Sequence, residues 1–267
     1  MRALVLDTST PAVSAALVDV VEGRATVLAE RVVVDGRRHG ELLAVGVQEV
    51  LRAGSPEWVV VGVGPGPFTG LRVGIMTAAA IADALGIPAV GACSLDGLAG
   101  PDVGVCSLDG LAGPDTGVVT DARRREVYWA RYDAAGVRVD GPHVGAPSVA
   151  ARALSGCRLV VGAGAHLYAD AFTGLPLGEL LHPSCAQLAR AALADLAHLP
   201  TLPGLPTLPT LPGLPTLPTL PVINGTSRGA HHPGSPLPVP LFTDGEGGLP
   251  LTPLYLRRPD AVATADR

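Results

Sequence analysis

The sequence predicts an α/β protein whose sheets mix parallel and antiparallel strands. Three observations predict it. Three valine-rich segments of strand length open the chain in succession. Two segments with helical spacing then alternate with short apolar strands. A glycine/proline loop, GVGPGPFTG at 62–70, joins a buried strand to the longest helical segment.

Taken in order, Leu4–Asp7 is the first strand, and it ends on a carboxylate followed by Thr8, Ser9 and Thr10. Ser14–Val20 and Ala25–Val34 follow, separated by turn-like Glu22-Gly23. His39 to Ala53 has helical spacing, Trp58–Val63 has the apolar run of a buried strand, Thr69 to Leu85 is a long helix, and Pro88–Gly91 is another short strand. Strand-strand-strand-helix-strand-helix-strand is the order of a ribonuclease-H-like sheet, a three-strand meander extended by crossovers. A second unit begins near Gly117. Its strands GVVTDA (117–122) and EVYWARYD (126–133) join through Arg123–Arg125 as a hairpin. Ser148–Leu154 is helical, Arg158–Gly162 a strand, and His182–Ala197 a helix that begins Pro183-Ser184. The expected division is 1–116, 117–198, an insert at 199–249 and a terminal segment at 250–267.

Composition narrows the function. Of the 267 residues 26 are proline, and residues 200–240 hold twelve of these against eleven in the first 199. The body is therefore globular and the proline excess local. The net charge is −5, all 19 basic residues are arginine and aromatics are 3 %, which argues against autonomous nucleic-acid binding. Cys93, Cys106, Cys157 and Cys185 show no CxxC spacing and are expected to be reduced thiols of a cytoplasmic protein. Asp7 interrupts the N-terminus before a signal-peptide core could form. The uncharged stretch Leu196–Ser227 is broken throughout by proline, so no membrane contact is expected.

Two repeats stand out. CSLDGLAGPD occurs at 93–102 and again at 106–115, a 13-residue duplication that lengthens one connection. TLPGLPTLP occurs at 201–209 and 210–218, with proline at every third position from Pro200 to Pro221. That period favours polyproline II, suited to a semi-rigid linker or, alternatively, to a PxxP ligand for an SH3-like partner.

Two loops are candidates for chemistry. Asp7 and Thr8 stand where a strand end can hold a metal or phosphate, or can bond their own turn. Gly64, Gly66, Thr69 and Gly70 enter the long helix, where free N–H groups and the helix dipole favour an anion. With Asp7 and Thr8 they form the candidate nucleotide site. The competing possibility is a rigid turn with Thr69 as N-cap. This is no Walker A loop, since the chain has no lysine. None of the seven histidines has HxxxH or HExxH spacing, and no catalytic residue is assigned.

The helices point to a partner. In 69–85 the only charges are Arg72 and Asp83, and Leu71, Ile75, Met76, Ala78 and Ala79 run around the cylinder. The helix at 39–53 is similar, with Leu42, Leu43, Val45, Val47, Val50 and Leu51 against Glu41, Gln48, Glu49 and Arg52. A helix apolar nearly all round must bury more than one face. The two either cover each other or meet another protein.

The segments MRALVLDTST, VVVGVGPGPFTGLRVGI, GIPAVGACSLDGLA, VVTDARRREVYWARY and PLYLRRPDA resemble the TsaB (YeaZ) family, over residues 1–198 and about the last seventeen. The resemblance implies an ASKHA (actin/Hsp70-like) fold of two ribonuclease-H-like domains with mixed sheets. It implies a non-catalytic subunit in the synthesis of threonylcarbamoyladenosine on tRNA. The partner would be the related subunit TsaD, as a heterodimer joined by TsaE in the full complex. ATP and metal are then expected on the partner, none on this chain alone, and tRNA would be met only through the complex. The implied interface uses the two helices, through His39, Leu43, Val47, Val50, Arg72, Met76 and Ala79; the same face could support a homodimer. The catalytic relative carries HxxxH just after the short strand that follows the long helix. Ser94 and Leu98 stand there in this chain, and the duplicated Ser107 and Leu111 restore nothing. Kinases of this superfamily have a glycine shortly after the first-strand aspartate, which Asp7-Thr8-Ser9 lacks. Pro67 replaces the family's usual serine and Arg125 its usual small turn residue. The alternatives are an M22-like metallopeptidase or ATP-hydrolysing member of the superfamily, and a homodimeric binding module with a proline-rich tail.

Overall fold

The structure is a computed structural model and describes residues 1–100, 115–197, 251, 253, 254 and 256. The second copy of the duplication as far as Pro114, the proline segment and most of the terminal segment, with the expectations attached to them, lie outside the described residues.

β1 (Arg2–Asp7), β2 (Ala12–Val21), β3 (Arg24–Val34), β4 (Trp58–Gly62) and β5 (Ala89–Ala92) form one sheet in the order β3-β2-β1-β4-β5. The meander pairs antiparallel, while β1–β4 and β4–β5 pair parallel. Central strands covered on both faces are continuously apolar, and RALVLD and WVVVG show this. Leu4, Leu6, Val59 and Val61 point to the face covered by α1 (His39–Val50) and α2 (Phe68–Leu85). Ala3, Val5 and Val60 point to the opposite face.

The cover on that opposite face comes from the far end of the 117–198 segment. It is α5 (Cys185–Ala197), which lays Cys185, Leu188, Ala189 and Ala192 across the first sheet. The 117–198 segment is thus not self-contained. β1 and β4 are apolar on both sides, α1 and α2 cover only one, and the chain supplies the second layer from far along its length. His182–Ser184 lead into α5 rather than forming its first turn.

The second sheet holds β6 (Thr116–Asp121), β7 (Val127–Tyr132), β8 (Arg138–Gly145) and β9 (Leu159–Val161) in the order β8-β7-β6-β9. Only β6–β9 is parallel. α3 (Pro147–Ala153) and the short α4 (Ala163–Leu167) accompany it. β8 and α4 are absent from the sequence expectation. β8 contains Gly141-Pro142, which argues against a strand; the pair is tolerated because β8 is an edge strand with shifted register against β7. α4 is one turn, too short to show a period.

The lobes meet on a 3-10 turn, Ser94–Leu98, after β5. Leu95 and Leu98 pack against Val118, Ala130, Tyr132 and Val161. Tyr132 Oη donates to Asp96 Oδ1 at 2.7 Å, and Arg138 Nη1 lies 3.6 Å from the same oxygen. Burial pushes the Cys93 thiol up to about 12, so it remains protonated at neutral pH. Cys157 and Cys185 are likewise free and buried. Leu254 returns to this junction, its N–H donating to Val63 O at 2.8 Å.

Because α5 is core to the first sheet, Leu188→Ala is expected to cost about 2–5 kcal/mol. Urea unfolding measures this; a loss below about 1 kcal/mol would contradict the placement of α5.

Candidate functional site

β1 carries Asp7 to its C-terminal end, where the residue is 1 % exposed. Oδ1 accepts the Ser9 N–H at 3.0 Å and the Ser9 hydroxyl at 2.7 Å. Oδ2 accepts the Ser94 hydroxyl at 2.7 Å, and Ser94 Oγ accepts the Gly64 N–H at 3.1 Å. Burial pushes the Asp7 carboxyl upward, against the Ser94 and Ser9 hydrogen bonds and the nearby His39 charge. Asp7 is therefore a buried hub that ties the strand end, its own turn, the glycine loop and the interlobe turn together.

The glycine loop closes on this hub. A Cβ on Gly66 would collide with Ser9 O, and one on Gly70 would lie 2.5 Å from Thr8 O. Thr8 Oγ1 donates to Gly70 O at 2.8 Å. Of the candidate nucleotide residues, Asp7, Thr8, Gly64, Gly66 and Gly70 are brought together, yet they contact one another. The Gly64 N–H is bonded to Ser94, and Gly66 and Gly70 admit the chain's own backbone. Thr69 does not cap the helix. The helix begins at Phe68 with Pro67 in the N-cap position, no side chain caps it, and Thr69 is exposed in the first turn.

Two histidines close the Asp7 turn from either side. His39 Nε2 donates to Thr10 O at 3.1 Å, and His182 Nδ1 lies 3.2 Å from Thr10 Oγ1. Burial lowers the His182 pKa and favours its neutral form. Sequence inspection missed Ser9, Thr10, Ser94 and His182 as a set, because they converge from distant segments.

The residues where the resemblance places a metal motif are occupied otherwise. Ser94 bonds Asp7, and Leu98 is buried between the lobes. Among the described residues no three His, Cys, Asp or Glu side chains gather as metal ligands. The residues present do not fit a metal here.

The expected interface residues divide in two. Leu43, Val47 and Val50 are buried in this chain's own core, which corrects their assignment to a partner surface. Their spacing of four and three puts them on the single stripe that faces the sheet. His39 and Ala79 are half-buried. Arg72 is exposed, its guanidinium 3.9 Å from the centre of the Phe68 ring. Met76 is 66 % exposed, and Val45 on α1 and Leu85 on α2 are exposed apolar side chains as well. α2 is long and apolar enough, by length and composition alone, to cross a membrane. Its Leu71, Ile75, Ala78 and Ala82 stripe is sheet core, so the outward side is apolar in excess of what this chain covers.

A model of the family described as TsaD, tRNA N6-adenosine threonylcarbamoyltransferase, matches residues 32–154. An uncharacterized protein of Mycobacterium tuberculosis is 48 % identical over 196 residues, covering 70 % of this chain and 83 % of the relative. One from Mycobacterium leprae is 47 % identical over 193 residues, and there the match spans 70 % of this chain but only 49 % of the relative. The crystal structure of a Pseudomonas aeruginosa protein described as similar to peptidase YEAZ superposes with a TM-score of 0.57 at 28 % identity, covering 73 % of this chain and 92 % of that one. YeaZ from Pseudomonas aeruginosa gives 0.56 at 26 %, covering 74 % and 93 %.

Ser94→Ala removes a donor to Asp7 Oδ2 and the acceptor of the Gly64 N–H. It is expected to cost about 1–3 kcal/mol at neutral pH. Asp7's folded pKa is already raised, and losing Ser94 Oγ raises it further. The deficit should therefore shrink as pH falls through the folded pKa of Asp7, where the protonated form no longer needs that donor. Urea unfolding across a pH series tests this; a deficit independent of pH would contradict the hub.

Proposed function

The chain belongs to the YeaZ (TsaB) family, and we propose from that premise that it is the accessory subunit that binds and activates TsaD in forming N6-threonylcarbamoyladenosine on tRNA. The observation that carries this is the exposed apolar side of α2 around Met76, on a helix whose other side is sheet core. An exposed apolar helix side of this kind suits contact with a protein partner. Arg72, Met76, Ala79 and Val45 would make the contact, while Leu43, Val47 and Val50 hold α1 in place behind it. His39 supports the same helix start. TsaE joins in the full complex, ATP and metal belong to the partner, tRNA is met through the complex, and the setting is cytoplasmic.

A non-catalytic role is supported by Ser94 and Leu98, which supply no ligand where the catalytic relative has histidines. Stoichiometric zinc or iron in the purified chain, or ATP turnover by the chain alone, would instead favour the metallopeptidase or ATPase alternative.

Co-expression with TsaD is expected to give a co-eluting complex. Met76→Asp would place an unpaired carboxylate in the interface and should weaken the complex at least about tenfold. The variant should keep the thermal stability of the unmodified chain, since Met76 contributes little to its own core. Undiminished complex formation by Met76→Asp would reject this face. A homodimer that persists when TsaD is in excess would reject the heterodimer.

A further inference from the structure

The tip of the β6–β7 hairpin is built from three arginines in left-handed backbone. Arg123, Arg124 and Arg125 have φ of 63, 54 and 61°. That conformation is disfavoured for any residue with a Cβ, and glycine, asparagine or aspartate would serve such a turn more easily. The turn is held by the Ala122 N–H on Glu126 O, the Glu126 N–H on Arg123 O and the Arg123 N–H on Asp121 Oδ1. All three side chains are exposed, so core packing does not compensate for the strain.

A second basic loop adjoins the turn from the other lobe. Arg37 and Arg38, between β3 and α1, are exposed. A Cβ on Gly36 would lie 4.0 Å from Arg123 Nη2. Five of the nineteen basic residues thus line one border of a chain whose net charge is −5. Two of these cations pair with carboxylates that sit deeper than they do. Arg38 pairs with Asp35 at 59 % against 25 % side-chain exposure, and Arg123 with Asp121 at 62 % against 19 %. Glu41 is exposed nearby in sequence and Glu126 half-buried. In these two pairs the guanidinium reaches farther into solvent than its counter-charge.

We propose that the border formed by Arg37, Arg38 and Arg123–Arg125 holds the phosphodiester backbone of the RNA substrate once the chain sits in its complex. Guanidinium forks match phosphate oxygens in two directions at once. Contacts of this kind, to phosphate oxygens, position RNA and do not read its sequence. The matching family is described by an activity on tRNA. The assignment rests on the accessory-subunit role proposed above.

The test uses the complex with TsaD, carrying either the unmodified chain or the double variant Arg124→Gly/Arg125→Gly. The variant removes two charges and relieves two left-handed positions, so its melting temperature should be no lower. tRNA binding is followed by fluorescence anisotropy over a salt series. The variant is expected to bind about tenfold more weakly near 0.1 M salt, with the slope of log K against log salt reduced by about 2. Arg37→Ala/Arg38→Ala should act in the same direction from the other loop. An intact variant complex with unchanged affinity and slope overturns this inference and leaves the subunit role standing. Failure of the unmodified chain to form any complex overturns that role and the inference with it. Competition by polyglutamate as effective as by unlabelled tRNA assigns the border to an acidic protein and overturns the RNA assignment.

Discussion

The approach of two loops without intervening side chains sets the rest of the first lobe. The Asp7–Thr10 turn lies on the loop that enters α2, and Gly66 and Gly70 leave no Cβ between them. Thr8 Oγ1 then bonds Gly70 O across the gap. A carboxylate at the centre of such a contact is costly unless donors surround it. Asp7 receives three, two from Ser9 and one from Ser94. The contact fixes where α2 begins, and through the 3.6-residue period it fixes which stripe of α2 meets the sheet. Met76 points outward because Ile75 and Ala78 must point in.

The same contact joins the lobes. Ser94 begins the turn that packs Leu95 and Leu98 on the second sheet. His182, just before α5, reaches back to Thr10. The first sheet is therefore finished by a helix that the chain makes only after building the second sheet. In sequence the duplicated copy falls in the connection that leads to β6, and the proline segment follows α5. Closure entropy grows only logarithmically with loop length, so additions there cost the core little.

The same features explain what the sequence could and could not disclose. β1 and β4 were legible because burial on both faces leaves an unbroken apolar run. α2 was legible from its length, although Pro67 rather than Thr69 precedes its first residue. β8 was not, because Gly141-Pro142 signals a turn unless the strand is known to be an edge. α5 is legible as a helix but its place is not, since periodicity shows that a stripe is buried and not what buries it. The Asp7 and glycine loops were found, but glycines that admit a phosphate and glycines that admit the chain's own backbone look alike in sequence. Ser94 is 87 residues from Asp7, and no local pattern marks the pair. The resemblance implies an interface through Leu43, Val47 and Val50, but a single apolar stripe on α1 can serve either a partner or its own sheet, and here it serves the sheet.

One helix relates the two surfaces. α1 starts at His39, directly after Arg37 and Arg38, and then presents Val45 on its exposed side. A partner seated on the apolar face would lie beside the basic border rather than over a separate part of the molecule. This resolves the tension between an acidic chain and a phosphate contact. Charges are screened beyond about 8 Å at physiological salt, so a border of five arginines attracts a polyanion only at short range. A net charge of −5 gives no long-range attraction to add to it. Such a border stays silent toward free RNA and acts when another subunit brings the backbone close. A positioning contact in an accessory subunit needs that property, and an autonomous RNA-binding domain would need the opposite one.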